Sequence, residues 1–370
     1  MEKEIYIIAA LGVAWMAQML YYLLIMARVG RKKPATSSKE MPPVSIVICA
    51  KNEQENLEKN LPLILNQNYP NFQVVVVNDC SEDDTEMTLA QFKQTNPHLY
   101  YTTIPVDKKF FHGKKLALTI GIKAAQHERM LLTDADCTPS SPEWLATMAS
   151  QFTTGKELVI GYGRYKKEKG FLNTLIRFET FWNAIQYMGH AVAAKPFMAV
   201  GRNIAYTKSL FNKGSQFRNS LTIASGDDDL FVMEAGTRKN TAICFEPKAQ
   251  TISLAERTLY DWLTQKARHL STANRIPFTT KLLLGIEIFS RQLFYLLTLY
   301  SLFFNTFTPI VIGLFASRLL LTHIIIFKAA QHFEEKGMSF VVLLMDLLIP
   351  WFQAMAWLFK FFGGKRNKWR

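Results

Sequence analysis

The chain has 370 residues, a formal net charge of +13 and 49% hydrophobic residues, enough for one large α/β domain with membrane segments or for two small domains. The apolar residues crowd into residues 5–27 and again beyond residue 282, so the basic excess is assigned to an anionic membrane surface or to cationic loops obeying the positive-inside rule. No zinc-finger spacing and no aromatic RNA-binding signature is present, and with apolar spans at both ends a membrane surface is the expected partner and nucleic acid is not. Cys49, Cys80, Cys137 and Cys244 form no C-x-x-C pair and are expected to be reduced, packed thiols rather than disulfides or zinc ligands.

Residues 5–27 are uncharged and long enough to span a bilayer as a helix. Glu2 and Glu4 ahead of them, and no small-residue cleavage site after them, argue against a signal peptide. Arg28, Arg31, Lys32 and Lys33 follow at once and place the next domain on the cytoplasmic face. Residues 30–43 read as a linker.

From residue 44 strands alternate with helices. Residues 44–49, 72–77, 99–104 and 130–132 are the predicted strands. The predicted helices run from Glu53 to about Asn66, from about Asp83, and over Lys114–His127. Ser81 and Asp84 resemble a capping box, and Ser141-Pro142 an N-cap and first helical residue. Continuous Val/Ile runs between helices imply a mostly parallel, Rossmann-like sheet covered on both faces. Ligands in such sheets sit beyond the carboxyl ends of the strands, where the polar clusters after residues 49, 77 and 132 fall. Residues 171–190 form an aromatic-rich helix. Residues 282–327 and 339–359 are apolar, interrupted by Glu287, Arg291, Arg318 and Asp346. Two or three C-terminal spans are expected. Two, with an interfacial helix near 282–291, would leave the basic tail inside; three would leave it outside.

The sharpest chemical signal is Asp134-Ala135-Asp136 after the apolar Leu131-Leu132. Alternate residues of an extended chain point the same way, so both carboxylates face one ligand. Their repulsion is relieved by Mg2+ or Mn2+ bridging to a diphosphate. Asn78-Asp79 ends a strand where a ligand base can be gripped, with strand-turn-helix capping as the plain alternative. Asp227-Asp228-Asp229 precede a helix, where the helix dipole accounts for at least two of them; a third leaves room for a general base. Arg268, in Gln265-Lys266-Ala267-Arg268-His269, could neutralise a leaving diphosphate or lie on an amphipathic helix at the membrane surface.

In order and spacing these motifs resemble family 2 glycosyltransferases, the GT-A enzymes that include cellulose and hyaluronan synthases and ceramide glucosyltransferases, over roughly residues 43–275. The resemblance implies a GT-A nucleotide-diphospho-sugar transferase fold with N- and C-terminal transmembrane helices. Ala50-Lys51-Asn52-Glu53 resembles the opening A-Y-N-E, with Lys51 in the aromatic position, and implies donor contacts from Asn52 and Glu53. Asp79 then contacts the nucleotide base, Lys114 the donor phosphates, and Asp134 and Asp136 the donor and the metal. Gly201-Arg202-Asn203-Ile204-Ala205 resembles the acceptor-side G-x-N-x-A, which puts Gly201 and Asn203 beside the acceptor. Ser225-Gly226-Asp227 aligns with T-E-D, making Asp227 the base and Asp228 the alternative one residue on. Gln265 and Arg268 match Q-x-x-R on the donor side, and His269 replaces the acceptor-contacting tryptophan of the processive synthases.

The expected protein is an inverting, metal-dependent glycosyltransferase. It would move a sugar from a nucleotide-diphosphate donor, by family habit a UDP-sugar, to a membrane-associated lipid or lipid-linked glycan. Its expected parts are an anchor over 1–29, a linker over 30–43, the GT-A domain over 44–255, interfacial helices over 256–291 and membrane segments with a basic tail over 292–370. A membrane-bound nucleotidyl or phosphoglycosyl transferase and a non-catalytic scaffold are the competing readings.

Overall fold

A computed structural model describes residues 2–31, 41–105, 113–217 and 226–362. Lys32, Lys33, most of the linker, Ser225 and the basic tail lie outside the described residues.

The domain is built on a seven-stranded sheet. In chain order its strands are β1 (Val44–Ala50), β2 (Phe72–Asp79), β3 (Leu99–Ile104), β4 (Arg129–Asp134), β6 (Leu158–Gly161), β8 (Ile204–Thr207) and β9 (Thr241–Cys244). Their order across the sheet is β3-β2-β1-β4-β8-β6-β9. All neighbours pair in parallel except β8, which is antiparallel to both β4 and β6. A small second sheet joins β5 (Thr138–Pro139), β10 (Thr251–Ser253) and β7 (Gly163–Tyr165). Every residue of β1 is buried, as continuous apolar runs demand of a central parallel strand. The register sets Ala50 beside Asn78 and Cys49 beside Asp134, so the polar clusters come together at one sheet edge.

The helices differ from expectation at their ends. After α1 (Glu2–Leu24) and α2 (Gln54–Leu65), α3 covers Thr85–Thr95. Neither Ser81 nor Asp84 caps α3. Asp83 accepts from Thr85 N and Thr85 Oγ1, while Ser81 Oγ accepts from Asn52 N. Asn52 has φ 55°, and its Oδ1 takes Glu82 N. Two polar turns are thereby stitched together, and that outcompetes the capping box. Helix α4 (Lys114–Ala124) stops short of His127. Helix α5 (Trp144–Ala149) starts beyond Pro142, with Ser141 Oγ accepting from Glu143 N.

Helix α6 (Phe171–Ala193) buries most of its residues. The end of α1 packs on it, with Tyr22 edge-on to Trp182 and Tyr21 Oη 3.2 Å from His190 Nε2. The helices α7 (Lys208–Lys213), α8 (Asp229–Ala235) and α9 (Leu259–His269) follow. Three apolar helices then complete the chain, α10 (Phe278–Phe303), α11 (Thr308–His332) and α12 (Met338–Phe362). With α1, four helices are long and apolar enough to cross a membrane. Residues 282–291 are the continuous first half of α10 rather than a separate interfacial helix.

The charges that interrupt these helices find one another. Arg318 pairs with Asp346 at 2.5 Å, and Arg291 pairs with Glu287 at 3.2 Å and Asp346 at 3.4 Å. Gln18 accepts from Arg318, Tyr22 donates to Glu287 and Tyr295 donates to Asp346. Two carboxylates and two guanidiniums form a neutral cluster joining α1, α10, α11 and α12. Pairing of opposite charges, reinforced by these hydrogen bonds, is what makes buried charge tolerable.

Helix α12 touches the domain at both ends. Glu335, just before it, pairs with Arg177 of α6 at 2.5 Å and accepts from Tyr162 Oη. At the far end Lys360 Nζ donates to Leu270 O at 2.8 Å, and Phe359 meets Tyr260 of α9. Its 25 residues extend about 37 Å at 1.5 Å per residue. The helix therefore runs along the domain rather than away from it.

Candidate functional site

A cleft of about 260 Å³ opens where β1 and β4 end, bounded by α8, α9 and the turn before β8. Asp134 is the last residue of β4, and Asp136 lies two residues on with its side chain exposed. Lys114, the first residue of α4, reaches across the cleft. Its Nζ lies 2.6 Å from Asp134 Oδ1 and 3.5 Å from Asp227 Oδ2. One ammonium thus ties the metal-type motif to the acidic triplet.

Charge dominates this cleft. Its lining holds seven carboxylic side chains, Asp229 and Glu256 among them, against Lys114, Arg202 and Arg268. Burial opposes the charge on Lys114, but Asp134 and Asp227 outweigh it and hold its pKa well above the usual lysine value. Burial also opposes ionisation of Asp134, yet Lys114 wins and keeps that carboxyl below its ordinary range. Asp136 is open to solvent on one side, but the protein around the cleft reduces its solvation, and that loss together with the Asp134 charge pushes its carboxyl up. Burial, then the charges of Asp136 and Asp134 acting against the Asn56 amide, raise Glu53 to about 7. Burial and Asp227 raise Asp228 to about 6, and burial and Asp228 keep Asp229 well above the carboxylate range.

These residues fit a divalent cation. Asp134, Asp136 and Cys137 offer ligand atoms within 4.8 Å of one another. The Cys137 thiol is kept protonated, first by burial and then by Asp136, and donates to Asp136 Oδ1 at 3.4 Å. What remains is an oxygen donor set in an anionic cleft, which suits Mg2+ or Mn2+ rather than a thiolate-seeking metal.

The acidic triplet divides its labour. Asp228 is the N-cap of α8; its Oδ1 accepts from Asp229 N at 2.8 Å and its Oδ2 from Gly201 N at 2.6 Å. Asp229 turns toward Ala199 N and Thr272 Oγ1. Asp227 is left facing Lys114 and the cleft. A Cβ added at Gly201 would stand 3.3 Å from Asp228 Oδ2, 3.4 Å from Lys114 Nζ and 3.5 Å from Asp227 Oδ2. Only the approach to Asp228 is tighter than ordinary packing, so Gly201→Ala is expected to push that carboxylate by a few tenths of an ångström, disturb the spacing beside Lys114 and Asp227 and lower turnover roughly 10-fold. Circular dichroism should show the fold unchanged; full activity would mean that the three groups need no fixed spacing.

Helix α9 starts at the N-cap Thr258, whose Oγ1 accepts from Asp261 N. It buries Trp262 and Leu263 and turns Gln265, Arg268 and His269 into the cleft. Tyr165 Oη donates to Gln265, which donates to Glu256. His269 stands at the cleft among cations; loss of solvation there, then the charges of Lys266 and Arg268, hold it well below the usual imidazole range.

Three expected contacts are placed elsewhere. Asn203 is fully buried and points away from the cleft. Its Nδ2 donates to Tyr162 O and Ala249 O, and its Oδ1 accepts from Trp144 Nε1. It fixes the turn that carries Gly201, and its side chain is spent on bonds within the protein. Asn52 spends its side chain on the turn after β2, and Asp79 is buried at the end of β2; neither lines the cleft. Arg202, by contrast, is a cleft residue that the motif did not single out. Its guanidinium lies 4.6 Å above the Tyr165 ring, and Nη2 donates to Gly163 O. Nε is buried without a partner among the described residues. A Cβ at Gly163 would collide with that Nε, so a glycine makes room for the arginine. A buried, unspent guanidinium donor opposite Asp136 is suited to a phosphate oxygen.

Comparison with known proteins agrees with this geometry. The family described as "Glycosyl transferase family 2" matches residues 45–214. Poly-beta-1,6-N-acetyl-D-glucosamine synthase of Staphylococcus epidermidis is 27% identical over 128 residues, covering 34% of this chain and 30% of the relative. The same-named protein of Staphylococcus aureus strain COL is 30% identical over 105 residues, covering 28% and 24%. The matches therefore span less than a third of the length of these curated relatives. Among solved structures, mannosyltransferase PcManGT from Pyrobaculum calidifontis, in complex with GDP-Man and Mn2+, is similar with a TM-score of 0.59. It is 20% identical and covers 98% of this chain and 99% of that one. That likeness is one of fold.

Proposed function

We infer the reaction from the premise that this chain belongs to glycosyl transferase family 2 through residues 45–214: it moves a glycosyl group from a nucleotide-diphosphate donor to an acceptor hydroxyl. The observation that carries the reading is the Lys114 bridge between Asp134 and Asp227, which sets a donor-side carboxylate and a base on either side of one cation.

Asp227 takes the proton of the acceptor hydroxyl as its oxygen attacks the anomeric carbon. The bond from that carbon to the diphosphate oxygen breaks, and its electron pair leaves with the nucleotide. One displacement inverts the anomeric centre. Lys114, Arg268 and the Arg202 guanidinium face the departing diphosphate and offset its growing charge. Asp136, with Asp134, would hold the divalent cation, which when bound adds Lewis-acid stabilisation of that leaving group. Asp228 keeps Gly201 and the start of α8 in place.

The test uses full-length protein. UDP- and GDP-sugars are screened for nucleotide release with Mn2+, with Mg2+ and with EDTA. One donor is expected to give release that EDTA abolishes. Release that is unaffected by EDTA would remove the metal from the reading, and no release from any donor would remove the reaction.

We read the domain as lying on the cytoplasmic face, because Arg28 and Arg31 follow α1 directly. We assign α1, α10 and α11 as the crossing helices and α12 as a helix lying in the membrane interface, because both its ends contact the domain. An impermeant maleimide should then label Phe362→Cys from the domain side and Asn305→Cys from the opposite side, in a Cys80→Ser background. Labelling of both from the same side would make α12 a fourth span.

A further inference from the structure

Beside the donor cleft lies a second cavity, of about 660 Å³, between α6, α9, α10 and the far half of α12. Its size falls in the range of ligand pockets, roughly 300–1,000 Å³. The two spaces share Met198, Asp229 and His269. Away from that shared wall the lining turns apolar, through Leu284 and Ile288 of α10 and Trp357 and Phe361 of α12. Phe361 is 74% exposed and Ile288 40%, so the cavity opens among residues that a bilayer would cover. We propose that this cavity holds the hydrocarbon chain of the acceptor, a lipid that presents a neutral hydroxyl headgroup to Asp227 through the wall shared with the donor cleft.

Two features choose the hydroxyl lipid over a lipid phosphate. The wall shared by the two spaces carries Met198, Asp229 and His269 and no lysine or arginine, so a phosphate monoester would meet no counter-charge there. Lys266, a cation on the lining, is already paired with Glu179 at 2.5 Å. The cavity also borders two buried polar atoms without partners among the described residues, Gln353 Oε1 and Trp262 Nε1. The general base has the same implication, because a hydroxyl must lose a proton to attack and a phosphate dianion need not.

The proposal rests on the glycosyl-transfer reading, so the experiment separates the two. Full-length protein in amphipol is given the active donor and alkyl glucosides of six to twelve carbons, with alkyl phosphates of the same lengths in parallel. Glucosides should accept sugar, with KM falling by up to about four-fold per added methylene, and phosphates should not. Ala354→Trp, from an exposed residue on the cavity wall, and Leu284→Trp from the opposite wall should fill the space. Both should flatten the chain-length dependence and leave acceptor-free nucleotide release unchanged. KM independent of chain length, an unaltered gradient in both variants, or preference for alkyl phosphates overturns the proposal. So does absence of glucoside turnover in protein that still releases nucleotide. If nucleotide release itself is absent, the reaction fails and the cavity is read separately. A diazirine-bearing dodecyl glucoside should then label α10 and α12 peptides in the native protein but not in Ala354→Trp, and equal labelling of both overturns it.

Discussion

Asp227→Asn is expected to cut acceptor-dependent turnover by about 10² to 10⁴ at saturating donor, equivalent to roughly 3 to 5 kcal/mol of transition-state stabilisation. The change keeps size and removes the ability to take a proton. Donor affinity should change little, because Lys114 keeps its shorter contact to Asp134. The neighbouring substitutions discriminate. Asp228 already accepts two backbone N–H groups, and asparagine is about as good an N-cap, so Asp228→Asn should retain turnover within about tenfold. Asp229→Asn should also turn over, since that carboxyl faces Thr272 and Ala199. If Asp228→Asn is the inactive variant and Asp227→Asn is not, the base is the residue whose carboxyl burial has raised to about 6. If all three are active, the triplet serves only to start α8.

The sequence declared the parts of this site that rest on buried parallel strands. Residues 46–49 and 74–77 are unbroken apolar runs, and the parallel register of β4 on β1 sets Asp134 beside Cys49. Lys114, Asp227 and Arg268 carry no such signal by themselves; their motif order identified them, and the cleft brings all three together. What stayed hidden has a physical reason in each case. Strands β6, β8 and β9 are four residues long, too short for periodicity, so the antiparallel reversal at β8 could not be read. Arg202 is one arginine in a basic chain, and only the pairing of Gly163 with its guanidinium marks it. Asn203 has the residue type of a ligand contact but the burial of a core cross-link. Helix α12 has the composition of a span, and nothing in that composition records that Glu335 and Lys360 are both fastened to the domain. The second cavity is assembled from helices that begin at Phe171 and end at Phe362, and no local pattern announces it.

Asp136→Asn should abolish the metal-dependent part of nucleotide release while leaving the domain folded, because this side chain is exposed and its carboxylate is opposed by Asp134. The informative measurement is thermal unfolding with and without Mn2+, since it does not depend on turnover. A ligand that binds only the folded state at 100 times its Kd stabilises by about 2.7 kcal/mol, so the native protein should melt several degrees higher in Mn2+ than in EDTA. In Asp136→Asn that increment should vanish. The sign in EDTA is also fixed. A carboxyl whose pKa is raised on folding costs stability once the pH exceeds its unfolded value. At neutral pH the asparagine variant should therefore melt no lower than the native protein without metal. A variant that melts lower in EDTA yet keeps its Mn2+ increment would show that Asp136 is structural and that the cation is held elsewhere. A variant that keeps both its increment and its nucleotide release would leave Asp134 and the surrounding carboxylates as the whole of the metal site, and Lys114 would then have to give up its 2.6 Å contact when metal enters.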